Sequence, residues 1–466
     1  MMAKNQLAKY EFEVGKSYSY TEASTPEDYL ETALSAERYI AKYRKNDESG
    51  TYWSSPSPIE LPIPSSQTVN LTLYGGVAGI SYLYKKLYTV TGREQYRETA
   101  ADGVRYLENH WRELIPSRLT GYEGYSAGTY AGIGGVGFVL AEWAQDAQDG
   151  DADNALREIV RWYEENAIVQ GDHAYWTGSN AVLLDGGVIL LLLRYLELHP
   201  EDEAVHALLD RAGRWFVSTG ETDGEDGLVF NGFSGIENYS FPNFELGTAG
   251  AGLVLGKLYE STHDDGYLQA ALRGARYLES LKVRQAKGNL IPYRILPDGA
   301  PLQDDRGKTI FYLGTCHGPA GTSRFYYELY KITKDRKWFA QIEDLVDGLE
   351  SLGAPEHQSS GLWNTECYCC AHAGILQFLV ALYEADGSAR WLELAKRTAN
   401  VLLGQAEHSD DGTVDWPLAF TRIEPTIISR DIGYYNGAAG IASSLLQIYL
   451  AETNQFKWHR LPDDSF

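Results

Sequence analysis

Cys316, Cys369 and Cys370 are the residues of this chain whose type and spacing could do chemistry. Cys316 stands five residues before Gly321; Cys369 stands five before Gly374, with Cys370 four before it. The shared offset matters because both glycines belong to a repeat. A glycine after a small-residue turn is followed nine residues later by a tyrosine at Gly79/Tyr88, Gly250/Tyr259, Gly321/Tyr330, Gly374/Tyr383 and Gly440/Tyr449. Looser copies occur at Gly134/Trp143 and Gly186/Tyr195. Self-similarity at a long period marks a repeat architecture. Equivalent turns of neighbouring units in a closed array lie side by side, so thiols far apart in sequence would converge. Zinc takes thiolates in tetrahedral geometry, and three protein ligands leave a fourth position open for water or substrate. A helix N-terminus lowers a thiol pKa and so favours the metal-binding thiolate. The alternative is that the three cysteines are small buried apolar groups, as free cysteine often is.

The elements that must position these turns are helices of two kinds. Segments 28–45, 95–111, 152–166, 202–219, 267–283, 336–352 and 389–405 carry apolar residues at three- and four-residue spacing with polar faces between, which predicts outer amphipathic helices. Each glycine turn opens a helix apolar nearly all round, as in GIASSLLQIYL from Gly440, which predicts a buried inner helix. Glycine at these starts suits a sharp turn with positive φ and lets backbones crowd at a narrow centre. Short β-like pieces ending in aromatics, at Tyr52-Trp53, Tyr175-Trp176, Leu362-Trp363 and Val414-Asp415-Trp416, suggest hairpins at a rim. The Pro/Ser-rich stretch 56–66 reads as a loop within unit one. The expectation is one domain over 1–466, all-α, an α/α toroid or barrel of seven outer and seven inner helices with short β-hairpin-like loops. About 25 residues at the start read as an extension.

Composition excludes several classes. A net charge of −24 argues against nucleic acid, whose phosphates require Lys and Arg, and against an anionic membrane surface. The most apolar stretch, 181–198, is interrupted by Asp185 and Arg194, so it reads as a buried helix and not a membrane span. The first residues lack the apolar core of a signal peptide. Four cysteines in 466 residues are no disulfide scaffold, and a reducing cytoplasm fits. The 33 Tyr and 11 Trp suggest an aromatic-lined cavity, with plain core packing as the alternative.

The turn Gly314-Thr315-Cys316-His317-Gly318-Pro319-Ala320-Gly321 resembles the cysteine-bearing WC[YH]GxPG turn of the lanthionine synthetase C family. Cys369-Cys370-Ala371-His372-Ala373-Gly374-Ile375 resembles that family's C[HC]GxxG turn. The turns at 73–80 and 435–441 match its Gly-rich repeats, and the resemblance covers nearly the whole chain. It implies a seven-pair α/α toroid with a zinc ion (Zn2+) at its central mouth, held here by Cys316, Cys369 and Cys370. It also implies a precursor peptide substrate. A cysteine thiolate of that peptide adds to dehydroalanine or dehydrobutyrine, closing a thioether ring. Three thiolates in place of the usual two and a histidine would make the substrate thiolate more nucleophilic.

The chain departs from the family pattern at three places, one of them Ala371 where the family has a glycine after the second cysteine turn's pair. Leu246 stands where the family's unit-four turn has a histidine, and Ser179 or Asn180 stands where it has an aspartate. His317 and His372, each close to a metal-ligating cysteine, are the candidate replacement proton carriers. His372 is alternatively a fourth ligand, and both histidines could be merely structural. Cys367 reads as a bystander or an alternative ligand, and His173 and His263 as surface or loop residues. No phosphate-binding loop, nucleophile elbow or HExxH is present, so dehydration of Ser or Thr would need a separate dehydratase or kinase-lyase enzyme. Two other readings stand beside cyclisation. One is a zinc-containing peptide-binding scaffold in a modification complex. The other is an α/α-barrel carbohydrate enzyme, which would need a carboxylate pair drawn from residues such as Glu123, Asp185 and Asp415.

Overall fold

Amphipathic and wholly apolar helices alternate along the chain, and burial sorts them into two concentric rings. The computed structural model describes residues 12–56, 69–119, 121–232, 239–419, 421–457 and 460–466. Among them are fourteen α-helices. Seven form the outer ring: Glu27–Ala41 (α1), Glu94–His110 (α3), Gly150–Asn166 (α5), Glu203–Ser218 (α7), Asp265–Ser280 (α9), Arg336–Ser351 (α11) and Ala389–Gln405 (α13). Seven form the inner ring: Val77–Thr91 (α2), Ile133–Ala147 (α4), Asp185–Leu198 (α6), Thr248–Thr262 (α8), Pro319–Thr333 (α10), His372–Asp386 (α12) and Ala438–Glu452 (α14). Each inner helix touches the next, and α14 returns to α2, so the inner ring is closed. An α/α toroid of seven and seven is therefore the fold. No helix among the described residues is long and apolar enough to cross a membrane.

Pairing in space runs the other way from the order the repeats suggest. Among the outer helices, each inner helix packs most closely on the one that follows it, and α1 packs on α14, the last inner helix. The first and last helices thus close the ring against each other. The described part of the first 25 residues is bound to the same ring. Gly15 N donates to Gln358 O (2.8 Å) and Tyr18 OH to Trp363 O (2.7 Å). The first outer helix ends at Ala41, short of residue 45, because Arg44–Asp47 (β1) folds back as a hairpin on Gly50–Trp53 (β2).

Further hairpins pair Ile168–Gln170 (β3) with His173–Tyr175 (β4), Glu221–Asp223 (β5) with Gly227–Val229 (β6), and Val283–Arg284 (β7) with Asn289–Leu290 (β8). Glu407–His408 (β9) pairs with Val414–Asp415 (β10), and Leu418–Ala419 (β11) with Ile428–Ser429 (β12). Five of the six follow directly on outer helices, so they rim the end of the ring where the inner helices begin. Leu362-Trp363 is not a strand; Leu362 makes a single bridge to Ser359. Of the 56–66 loop, only residue 56 lies within the described residues.

The glycines that open the inner helices are needed for space, not for positive φ. Gly76 and Gly437, the N-caps of α2 and α14, have φ of −121° and −149°, extended values open to any residue. A Cβ on Gly321 would collide with the Thr315 carbonyl, and one on Gly374 with the Tyr368 carbonyl. The repeated glycine lets the turn fold down onto its own helix, which brings the cysteines to the ring axis.

Candidate metal centre

The turns before the seven inner helices meet at the axis and hydrogen-bond to one another through the backbone. Cys316 N donates to Cys369 O (3.0 Å), Cys369 N to Tyr435 O (2.9 Å), Tyr435 N to Tyr74 O (2.8 Å) and Tyr74 N to Tyr130 O (2.8 Å). Thr129 N donates to Leu183 O (3.0 Å), Leu183 N to Glu245 O (3.4 Å), and Glu245 N to Cys316 O (2.8 Å), which closes the belt. Tyr74, Glu245, Cys316, Cys369 and Tyr435 each stand five residues before their repeat glycine. Seven helix N-termini point at this belt, and their partial positive charge favours anionic groups there.

The structure brings Cys316, Cys369 and Cys370 together. Their sulfurs all lie within 4.8 Å of one another, and Cys316 Sγ to Cys370 Sγ is 3.6 Å. Zinc–sulfur bonds of about 2.3 Å in a tetrahedron set sulfurs about 3.8 Å apart, so the cluster fits zinc with little movement. Hydrogen bonds from Cys316 and Cys370 push the Cys369 thiol well below its ordinary range. The Cys316 and Cys370 thiols are pushed up, chiefly because they donate within the cluster. A divalent cation would relieve this crowding by accepting all three as thiolates. Cys367 is buried beside Cys370 but outside the close cluster.

A chamber of about 290 Å³ opens over the thiols. Its wall is mainly apolar and aromatic, from Tyr74, Tyr125, Leu183, Leu246, Tyr293, Tyr312 and Trp363. Tyr293 and Tyr312 stack face to face, 3.9 Å between centroids, and Tyr312 leans on Trp363 at 5.0 Å. Glu245 also lines it. Its carboxylate, Cys316 Sγ and a ring nitrogen of His317 lie within 4.8 Å of one another. Burial, then the charges of Cys369 and Asp463, push the Glu245 carboxyl well above the usual carboxylate range. Sequence reasoning missed Glu245, although it has the same five-residue offset as Cys316 and Cys369. The likeness to a histidine-bearing turn points instead to Leu246, one residue further on.

His317 is in the chamber, but as a neutral ring. It is stacked on Phe241 at 4.7 Å, and burial with the nearby Arg294 charge lowers its pKa to about 3. It therefore offers a lone pair at ordinary pH rather than an imidazolium proton. His372 is not at the centre. It is fully buried, its Nδ1 pairs with Glu366, and its Nε2 meets Pro355 O at 2.9 Å. With both nitrogens engaged away from the thiols, it serves neither as proton carrier nor as fourth ligand. The first turn of α12 aims its side chain outward, past Tyr18.

The remaining candidates are also engaged elsewhere. Ser179 Oγ donates to Gly232 O (2.7 Å) and Asn180 Nδ2 to Thr219 Oγ1 (2.9 Å). Asp185 is fully buried and accepts from the Trp176, Thr177 and Gly178 amides and the Thr177 hydroxyl. Asp415 pairs with Arg430, and Glu123 accepts from Ser117. None of these three carboxylates lines the chamber, so the pair that sugar cleavage requires is not formed by them.

The sequence model of the family described as lanthionine synthetase C-like protein matches residues 67–461. No curated protein sequence matches the chain. Among solved structures, nisin cyclase superposes with a TM-score of 0.57 at 14% identity, over 84% of this chain and 90% of that one. A family 76 glycoside hydrolase from a bovine Bacteroides thetaiotaomicron strain gives 0.45 at 15% identity, over 92% and 78%. Cellobiose 2-epimerase from Spirochaeta thermophila gives 0.46 at 11% identity, over 97% and 99%.

Proposed function

This chain belongs to the lanthionine synthetase C-like family, and from that premise we propose that it is a zinc-dependent cyclase forming thioether rings in a dehydrated peptide. The observation that carries this reading is the Cys316–Cys369–Cys370 cluster, its sulfurs within 4.8 Å of one another, at the floor of an aromatic chamber. Cys316, Cys369 and Cys370 would hold a zinc ion, and that ion would lower the pKa of the peptide's cysteine thiol so that it could react as a thiolate near neutral pH. The chain's residues do the rest. Tyr293, Tyr312 and Trp363 offer flat apolar walls that exclude water and orient the peptide's dehydrated residue. Sulfur bonds to the β-carbon of the dehydro residue, the double-bond electrons move toward the α-carbon, and that carbon takes a proton. The net change is addition of S–H across C=C, with no oxidant or reductant. Glu245, beside Cys316 on the chamber wall, is the carboxyl group placed to exchange this proton. The peptide arrives already dehydrated by a separate enzyme.

The test is to incubate zinc-loaded protein with a dehydrated, cysteine-containing peptide and follow free thiol by alkylation and mass spectrometry. Zinc-dependent loss of alkylatable thiol at unchanged peptide mass is expected. Leu246 in the family's histidine position favours one other reading, a zinc-containing scaffold that holds the peptide for partner enzymes. Peptide binding with no loss of thiol would select it over the cyclase.

A further inference from the structure

Beyond the last inner helix the chain turns back into the ring. Leu461, Asp463 and Ser465 are each 1% exposed. They enter from the end opposite the chamber, where the inner helices finish. Arg460 holds Glu197, near the end of α6, with two bonds of 2.7 and 2.9 Å. Phe466 stacks on Tyr327 at 4.3 Å, and Lys331 Nζ donates to Ser465 O (2.9 Å), both on the later turns of α10. Asp463 reaches deepest. It pairs with Arg324 Nη1 at 2.7 Å and accepts from Tyr130 OH at 2.7 Å. Arg324 Nη2 in turn donates to Tyr368 OH at 2.6 Å, and Ser465 Oγ donates to Arg324 O at 2.8 Å.

A charged pair this deeply buried is a poor source of stability, since apolar replacements of similar volume often serve as well or better. Geometry is what it does supply. Both groups that bond the pair belong to the turns of the belt: Tyr130 is a belt residue, and Tyr368 directly precedes Cys369. Groups that orient metal ligands from behind commonly govern metal affinity. We propose that Leu461–Phe466 is a plug behind the thiol turns, and that Asp463 is a positioning residue holding the Cys369–Cys370 turn in metal-binding register through Arg324 and Tyr368. The inference rests on the metal reading of the thiol cluster, but not on the thioether chemistry.

The test compares zinc affinity, by chelator competition on full-length protein, for the native chain, Asp463→Asn, Tyr368→Phe and the double variant, with melting temperature measured alongside. Each single variant is expected to weaken zinc binding about 10- to 100-fold. The double variant should be little worse than the weaker single one, because both act through one line of contacts. Iodoacetamide should also label Cys369 and Cys370 of the zinc-stripped variants at altered rates. Native affinity in both single variants overturns the proposal even if Asp463→Asn melts earlier, since the segment would then serve stability alone. Fully additive losses overturn the relay through Arg324. If Asp463→Asn does not fold, Tyr368→Phe, which keeps its ring and loses only the hydroxyl, decides alone. A native chain that takes no zinc removes the metal reading and this proposal together, whereas zinc binding without ring closure removes only the cyclase.

Discussion

Replacing Cys370 with alanine isolates the contribution of one ligand. Cys370 Sγ is 3.6 Å from Cys316 Sγ and half-buried at the chamber floor, so the truncation leaves two thiols and opens a second coordination position to solvent. Zinc held by four protein ligands is bound by about 10–16 kcal/mol at neutral pH, or roughly 2.5–4 kcal/mol per ligand. At about 1.4 kcal/mol per factor of ten, the loss corresponds to roughly 100- to 1000-fold in affinity. Glu245 and His317 lie beside Cys316, not beside Cys370, so they replace the lost thiolate poorly. The assay is competition with a coloured zinc chelator at neutral pH, with metal content by mass spectrometry and a thermal melt to show that the ring remains folded. Cys367→Ala is the matched control: a buried thiol nearby, outside the close cluster, whose loss should leave affinity unchanged. Native affinity in Cys370→Ala, or an equal loss in Cys367→Ala, would refute the assignment of the three ligands.

Glu245→Gln should keep zinc and peptide binding while slowing ring closure about 100-fold or more, the usual worth of a positioned proton donor; an unchanged single-turnover rate would remove Glu245 from the reaction. Lys86 is buried in α2, and burial pushes its pKa down to about 7 against the pull of Glu384 and Asp464. The unfolded chain keeps that proton to about pH 10.4. Between those two values the unfolded state binds more protons, so this residue makes stability rise with pH by up to about 1.4 kcal/mol per unit. Lys86→Met should remove that rise and be the more stable protein near pH 7; parallel denaturant midpoints for the two proteins from neutral to mildly alkaline pH would contradict this. Asp185→Ala removes the acceptor of the Trp176, Thr177 and Gly178 amides, of which that of Trp176 is buried. At about 1–3 kcal/mol for one stranded buried group it should lower unfolding free energy by about that much with zinc content intact, and a loss of zinc at native stability would show that Asp185 acts on the metal centre instead.

The repeat, the two kinds of helix and the three thiols are all legible in the sequence. Helical spacing of apolar residues separates half-buried from fully buried helices without knowledge of their neighbours. Residues at one offset in successive repeats must share one ring of space, which is why spacing alone puts Cys316 and Cys369 together. The same offset identifies Glu245, five residues before Gly250, so this residue too was within the reach of the sequence. Nearness in sequence, by contrast, misleads for His372. Two residues from Cys370 is enough for the helix start to swing its ring to the far side, against Glu366 and Pro355.

Three features were decided by tertiary structure alone. Closing α1 onto α14 joins the two ends of the helical run, and no local pattern states which helix an end will meet. The neutral state of His317 arises from burial and the charge of Arg294, which depend on where distant segments pack. The seating of Leu461–Phe466 inside the ring depends on Asp463 meeting Arg324 and Tyr130, partners set in other repeats. Periodicity records what each residue needs from its surroundings, solvent or core, and so the sequence by itself determined the ring and its thiols. Which side chain meets which across the axis is a matter of the closed ring's geometry, and only the folded chain could decide it.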